Sequence, residues 1–356
     1  MTATPSADRP KARTRDVRVR AFAHPGPWTP PADPAGPGTR GRPRRGWSRP
    51  RAVVPEAVPN NGRRGTAMSK SVLAGIDGSA ESTAAARWAA DEAVRRGQAL
   101  RLVHAWTWED DVRADPGRPA QVGSLTERLL DDAARQVRSA HPGLEVHTGL
   151  LAGHEPTASL LAAAAESELF VVGSLGLGGF EGLLVGSVGL DVAARCEVPV
   201  VLVRAAQTQP AGADGATEVV VGVDTRAPAD EVVEFAFQQA AARAAVLRAV
   251  HGWTPPPVWG YAGWVAPPVE TERFRAIEAE LLGLALSGWR AKYPEVTVVE
   301  DTRIGGGAGA VVDASGNAAL VVVGRRRHHR LGLRLGPVAH AVIHHAQAPV
   351  AVVPHN

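Results

Sequence analysis

The residues best suited to chemistry form a glycine-rich loop. Gly173 and Gly176 are followed, after nine intervening residues, by Gly186 and Ser187. Glycines let a backbone approach a bulky anion closely, and N–H groups at the start of a helix bind phosphate. A short apolar run precedes the loop and a helical pattern follows it, as in doubly wound sheets that bind nucleotides. The loop therefore predicts phosphate binding, and the alternative is that its glycines only form tight turns.

A second loop, about 150 residues later, repeats this pattern with changes. Gly324 and Gly336 remain, but Arg327 replaces the second glycine and the spacing is one residue shorter. Pro337 replaces the serine, which removes a hydroxyl and a backbone donor. The loop is instead rich in basic residues, namely Arg325, Arg326, Arg327, His328, His329 and Arg330. We expect weakened or reorganised phosphate binding, so a regulatory anion site and a solvated basic loop are both open interpretations.

The two loops belong to two copies of one longer pattern. The apolar strand that ends at Asp77 recurs as a strand that ends at Asp224, and the run that ends in His104, Ala105 and Trp106 recurs 147 residues later. In each copy, short Val-rich and Leu-rich runs alternate with helical stretches, which is typical of parallel sheets covered on both faces. Ser79 is a predicted N-cap, and segments 158–165 and 308–314 are predicted crossover helices.

This organisation predicts an α/β protein of two tandem Rossmann-like domains, each a five-stranded parallel sheet with helices on both faces. The predicted boundaries are a disordered Pro-rich and Arg-rich extension at 1–67, a first domain at 68–205, a linker at 206–216 and a second domain at 217–356. A Trp-rich insertion at 253–268 is either an aromatic lid, a partner surface or a loop that packs its own aromatic residues.

Charge and composition restrict the partners. The first 67 residues hold 14 Lys and Arg against 4 Asp and Glu, a net charge of +10, which leaves −7 for residues 68–356. The folded part is therefore acidic, and we expect no specific nucleic-acid binding. No run of apolar residues is long enough to span a membrane. The lone Cys196 is expected to be a core residue of a cytoplasmic protein.

With these motifs the sequence resembles the universal stress protein family, as a tandem member. The matching segments are 77–79, 153–156, the first glycine-rich loop and the strand at 198–203. The resemblance implies an adenine nucleotide alpha hydrolase-like fold and a stress-response protein that binds ATP as a signal, and it leaves open whether Mg accompanies the nucleotide. It implies Asp77 beside the nucleoside, Val103, Val172 and Gly173 around adenine, and Gly176, Gly186, Ser187 and Val188 at the phosphates and ribose.

Two other functions compete with ATP signalling. A nucleotide hydrolase is disfavoured because no G-x4-G-K-[ST] loop is present and Lys occurs only at positions 11, 70 and 292, so we assign no catalytic or metal-binding residue and expect very slow ATP turnover at most. His104 and His251 could act as bases, but their repeated position indicates a structural role. The other alternative is a partner-binding dimeric protein that uses no nucleotide.

The resemblance also implies partner proteins. It implies a homodimer through the Val-rich last strands at 200–203 and 350–353, whose edges would otherwise be exposed. A regulatory protein partner is expected, and its nature is unknown.

Overall fold

A computed structural model describes residues 71–107, 118–153, 155–176, 185–205, 218–254, 268–327 and 335–356. The predicted extension, the predicted linker, most of the Trp-rich insertion and parts of both glycine-rich loops lie outside these residues. The predicted domain boundaries therefore stay predictions. Among the described residues, no helix is long and apolar enough to cross a membrane.

The first copy alternates strands and helices along the chain. In order, it contains β1 (Ser71–Gly75), α1 (Ala80–Arg96), β2 (Ala99–Thr107), α2 (Arg118–Ala140), β3 (Val146–Gly153), α3 (Pro156–Ala164), β4 (Leu169–Gly173), α4 (Ser187–Arg195) and β5 (Val200–Val203). The five strands are parallel and lie in the order β3-β2-β1-β4-β5. The strand order reverses between β1 and β4, which creates a crevice at their carboxyl ends.

The second copy repeats this arrangement. It contains β6 (Glu218–Gly222), α5 (Asp230–Arg243), β7 (Val246–Trp253), α6 (Pro268–Lys292), β8 (Val298–Ile304), α7 (Gly307–Ala314), β9 (Ala318–Arg326), α8 (Pro337–His345) and β10 (Val350–His355), with a short 3₁₀ helix (Ser315–Asn317) before β9. Its parallel order is β8-β7-β6-β9-β10. The predicted fold class and the two crossover helices are confirmed.

The two copies join into one ten-stranded sheet. β5 and β10 run antiparallel, with Val200 opposite Val352 and Leu202 opposite Val350. The Val-rich edges therefore cover one another inside a single chain. This corrects the prediction that these edges need a second chain, because each last strand already has its partner.

Helices cover both faces of this sheet. On one face, buried side chains of α1, α2, α5 and α6 pack together, among them Leu130 and Leu282. On the other, side chains of α3, α4, α7 and α8 form a second apolar layer that includes Leu160 and Val311. Cys196 is buried in this second layer, as predicted.

Helix α1 begins where the sequence predicts. Ser79 is the N-cap, and its hydroxyl accepts a hydrogen bond from the Ser82 N–H at 3.1 Å. The helix ends at Gly97 with φ of 60°, a left-handed conformation that glycine adopts without strain. The Ser79 cap fixes how α1 leaves the carboxyl end of β1, which borders the crevice.

Candidate functional site

A cavity of 440 Å³ lies at the carboxyl ends of β1, β2 and β4, beside the start of α4. All eight residues that the resemblance assigned to the nucleotide site line it: Asp77, Val103, Val172, Gly173, Gly176, Gly186, Ser187 and Val188. The structure thus brings together residues from four separate elements. Their contacts with a ligand remain a prediction.

One wall of the cavity is apolar. Val103 on β2 and Val172 on β4 are almost fully buried, and Ile76, Ala105 and Leu160 extend the same wall. Three of these elements, β1, β2 and β4, are parallel strands that end at one edge of the sheet, and helix α3 supplies Leu160. A flat apolar group fits such a wall.

The start of α4 also lines the cavity. Its N-cap is Gly186, and no side chain of a described residue caps the helix. The Gly186 N–H donates to the Ser174 carbonyl at 2.6 Å, which holds the loop closed at its base. The first N–H groups of a helix lack intrahelical partners, so this end attracts anions.

Ser174 is a residue that the sequence did not single out. It lines the cavity and is 2% exposed, and its hydroxyl has no hydrogen-bond partner among the described residues. A buried hydroxyl without a partner costs free energy, which a bound ligand or water would recover. The only sequence signal was its place between Gly173 and Gly176.

The glycines of the loop differ in how much room the surrounding protein leaves for a side chain. A Cβ on Gly173 would lie 2.8 Å from the Glu81 carbonyl carbon and 2.9 Å from the Ser82 nitrogen, so close packing of α1 on β4 excludes any side chain. A Cβ on Gly186 would meet its nearest atoms at 3.7 Å, which is ordinary contact. Protein packing therefore explains Gly173, whereas it leaves room for a methyl group at Gly186.

Asp77 combines a structural role with its place in the cavity. Its Oδ1 accepts hydrogen bonds from the Ser79 N–H at 2.9 Å and the Ser79 hydroxyl at 2.6 Å, which forms the turn into α1. Asp224 forms the corresponding turn with the Arg226 N–H at 3.1 Å. A Cβ on Gly176 would lie 2.6 Å from Asp77 Oδ2, so the second glycine allows this carboxylate to face the loop.

The two repeated histidines make the same backbone contact. His104 Nδ1 lies 2.6 Å from the Ile76 carbonyl oxygen, and His251 Nδ1 lies 2.9 Å from the Val223 carbonyl oxygen. Each contact ties the end of the second strand of a copy to the end of its first strand. This supports the structural role that their repetition predicted.

The basic loop of the second copy is not uniformly solvated. Arg325 is 3% exposed and donates to the Cys196 carbonyl oxygen of the first copy. Burial lowers the pKa of Arg325 from its ordinary value and raises that of the Cys196 thiol. Arg327 pairs with Glu197 at 3.0 Å. His328, His329 and Arg330 lie outside the described residues.

This chain is similar to known proteins in sequence and in fold. The model of the universal stress protein family matches twice, at residues 68–204 and 216–354. The chain belongs to the universal stress protein family. Two universal stress proteins of Mycobacterium tuberculosis, Rv2005c and Rv2623, are each 31% identical to it, over 300 and 294 residues. These matches cover 79% and 80% of this chain and 96% of each relative.

A solved structure shares the fold of this universal stress protein. The crystal structure of a universal stress protein from Archaeoglobus fulgidus has a TM-score of 0.59 and 17% identity, and the match covers 80% of this chain and 98% of that one. At this identity the likeness shows the fold alone.

Proposed function

We propose that the first copy binds an adenine nucleotide, ATP above all, as a signalling ligand rather than as a rapidly consumed substrate. The observation that carries the proposal is the cavity lined by all eight residues that the family resemblance implies, whose lining includes both apolar side chains and the start of α4. Adenine suits the apolar wall, and phosphates suit the uncapped N–H groups.

The lining of the cavity also supports very slow ATP turnover at most. Among the described residues that border the cavity, the ionisable ones are Asp77 and His104, and none is Lys or Arg. Phosphoryl transfer needs positive groups to neutralise charge that develops on the transferred phosphate. Purified protein that hydrolyses several ATP molecules per second would contradict this proposal.

The decisive test adds a methyl group at Gly186, where the protein leaves room for one. Gly186→Ala places a methyl group at the phosphate end without a clash in the protein. We expect ATP affinity, measured by calorimetry, to fall about tenfold or more, with the melting temperature nearly unchanged. Gly143→Ala is the matched control, because a Cβ there meets nothing within 4 Å and Gly143 does not line this cavity.

Nucleotide released from the denatured native protein gives a second measurement. About one adenine nucleotide per chain, lost in Gly186→Ala and kept in Gly143→Ala, would support the proposal. No bound nucleotide and no heat of ATP binding would favour the alternative, a partner-binding protein whose glycines serve packing only. The Gly173 contacts with α1 are the observation that favours that alternative.

The assembly and location of the protein stay predictions. Because β5 and β10 pair with each other inside the chain, the predicted homodimer needs a different surface. Gel filtration with and without ATP tests it, and a strict monomer in both states would count against it. The cytoplasmic location and the regulatory partner rest on the sequence alone.

A further inference from the structure

The second copy has a cavity of its own with different chemistry. It measures 510 Å³ and lies at the carboxyl ends of β6, β7 and β9, beside the start of α8. Its described lining includes the ionisable residues Asp224, Arg226, His251, Arg326 and His355. The first cavity has no cationic counterpart to the two arginines within its described lining.

Of the two arginines in the described lining of the cavity, Arg326 is the one without a partner among the described residues. It lines the cavity and is exposed, and its guanidinium makes no hydrogen bond or ion pair with any residue in the described part of the chain. The neighbouring arginines are both engaged, Arg325 with the Cys196 carbonyl oxygen and Arg327 with Glu197. Of these three consecutive arginines, Arg326 alone borders the cavity.

His355 lies beside Arg326 because β9 and β10 pair in register at these two residues. It is 9% exposed, and its Nδ1 lies 2.9 Å from the Asn356 carbonyl oxygen. Its Nε2 has no hydrogen-bond partner among the described residues. The same atom packs against Gly324, and a Cβ added to that glycine would lie 2.8 Å from it. The corresponding residue of the first copy is Ala205, so this imidazole is specific to the second site.

The other ionisable side chains of the cavity already contact a neighbouring side chain or the backbone. Arg226 lies 3.2 Å from Glu278, and the other oxygen of that carboxylate lies 3.2 Å from His251 Nε2. Asp224 contributes one negative charge at the same edge. Arg326 and His355 are therefore the pair that a ligand would contact through groups not already used.

We propose that the second cavity binds a phosphoryl-type anion through the side chains of Arg326 and His355. Pro337 removes one backbone donor at the start of α8, and side-chain charge takes over the role that backbone amides have in the first copy. A guanidinium matches the oxygens of a phosphoryl group and binds them with charge-assisted hydrogen bonds. The anion is either free phosphate or pyrophosphate, or the phosphate tail of a nucleotide.

Calorimetry on the full-length protein with pyrophosphate and, separately, with ATP tests the proposal. We expect Arg326→Gln to weaken one pyrophosphate site by about tenfold or more, as loss of a charged hydrogen bond does. His355→Gln should weaken the same site, and added salt should weaken it in the wild type. Arg327→Gln is the matched control, because it removes an adjacent arginine that does not line the cavity.

The outcomes separate this proposal from the function of the first copy. A site sensitive to Arg326→Gln for ATP but absent for pyrophosphate would assign the anion to a nucleotide tail. Gly186→Ala should leave the Arg326-sensitive site unchanged, so either site can fail alone. Anion binding that is absent, or equally affected by Arg326→Gln and Arg327→Gln, would overturn the proposal.

Discussion

The two copies have the same strand order and the same histidine contact, yet they differ where they meet. Helices α1 and α5 contact each other, and Glu92 of α1 faces Gln239 of α5, its counterpart 147 residues later. The Gln239 side-chain N–H donates to Glu92 at 2.8 Å. Two glutamates at this contact would repel each other, and two glutamines would leave the surrounding arginines unneutralised.

Arginines surround this unequal pair from both copies. Arg96 lies 2.6 Å from Glu92, and Arg243, its counterpart, lies 2.8 Å away from the other side. Each arginine also covers an aromatic ring of the opposite copy, Arg96 over Phe235 and Arg243 over Trp88. The arginine–aromatic contacts are the same in both copies, but only the first copy has a carboxylate at this position. The glutamate of one copy and the glutamine of the other therefore form a complementary pair.

The largest expected effect on stability comes from removing the negative charge of Glu92. Burial raises the pKa of Glu92, but the attraction of Arg243 and Arg96 and the hydrogen bonds outweigh it, and the pKa falls from 4.5 to about 2. Such a shift corresponds to about 3 kcal/mol of folding stability at neutral pH. Glu92→Gln should lower the free energy of unfolding by roughly that amount, measured by urea denaturation at pH 7.

The sign of the pH effect follows from the lowered pKa. The stabilisation by Glu92 is complete above its ordinary pKa of 4.5 and is lost as the pH falls toward 2. The difference in stability between wild type and Glu92→Gln should therefore shrink over this interval. The double variant Glu92→Gln with Gln239→Glu is the control, and it should recover most of the lost stability because Arg243 contacts both positions. A double variant no more stable than the single one would show that the copies are not complementary in this way.

Replacing the first glycine of each loop with alanine should have a smaller effect on stability, and the loss should differ between the two loops. Gly173→Ala forces a Cβ against the backbone of α1 and should cost about 2 kcal/mol. Gly324→Ala meets the His355 ring and Val232 Cγ2 instead, and side chains move more easily than backbone, so about 1 kcal/mol is expected. Thermal unfolding of both variants without ligand measures the difference. Equal losses of stability in the two variants would show that the loops do not differ in how tightly their first glycine is packed.

The smallest change in stability should come from giving the first loop the proline of the second. Gly186 and Gly336 have nearly the same N-cap conformation, with ψ of 164° and 162°, so proline fits after either. Ser187→Pro should alter the free energy of unfolding by no more than about 0.5 kcal/mol. It removes one N–H and one hydroxyl, and ATP affinity should fall about tenfold. Calorimetry that finds unchanged ATP affinity would show that Ser187 contributes nothing to binding.

Much of the candidate site could be predicted because its signals are local. Gly173, Gly176, Gly186 and Ser187 lie within 15 residues, between a strand and a helix that their own patterns predict. Ser174 was missed because serine is common in loops, and only its burial without a partner sets it apart. Glu92 was missed for a related reason: a glutamate four residues before an arginine is typical of a solvated helix face.

The sequence by itself determined the two-copy α/β fold, the course of each copy and the glycine-rich loop at the first cavity, because apolar periodicity and glycine spacing act over short stretches of chain. The family resemblance supplied the other residues around that cavity. Tertiary structure alone decided that β5 pairs with β10, that Arg325 reaches the first copy and that Arg326 has no partner within the described part of the chain. These outcomes depend on which distant surfaces meet. Val-rich edges and arginines have many acceptable partners, and only the packing of the whole chain selects among them.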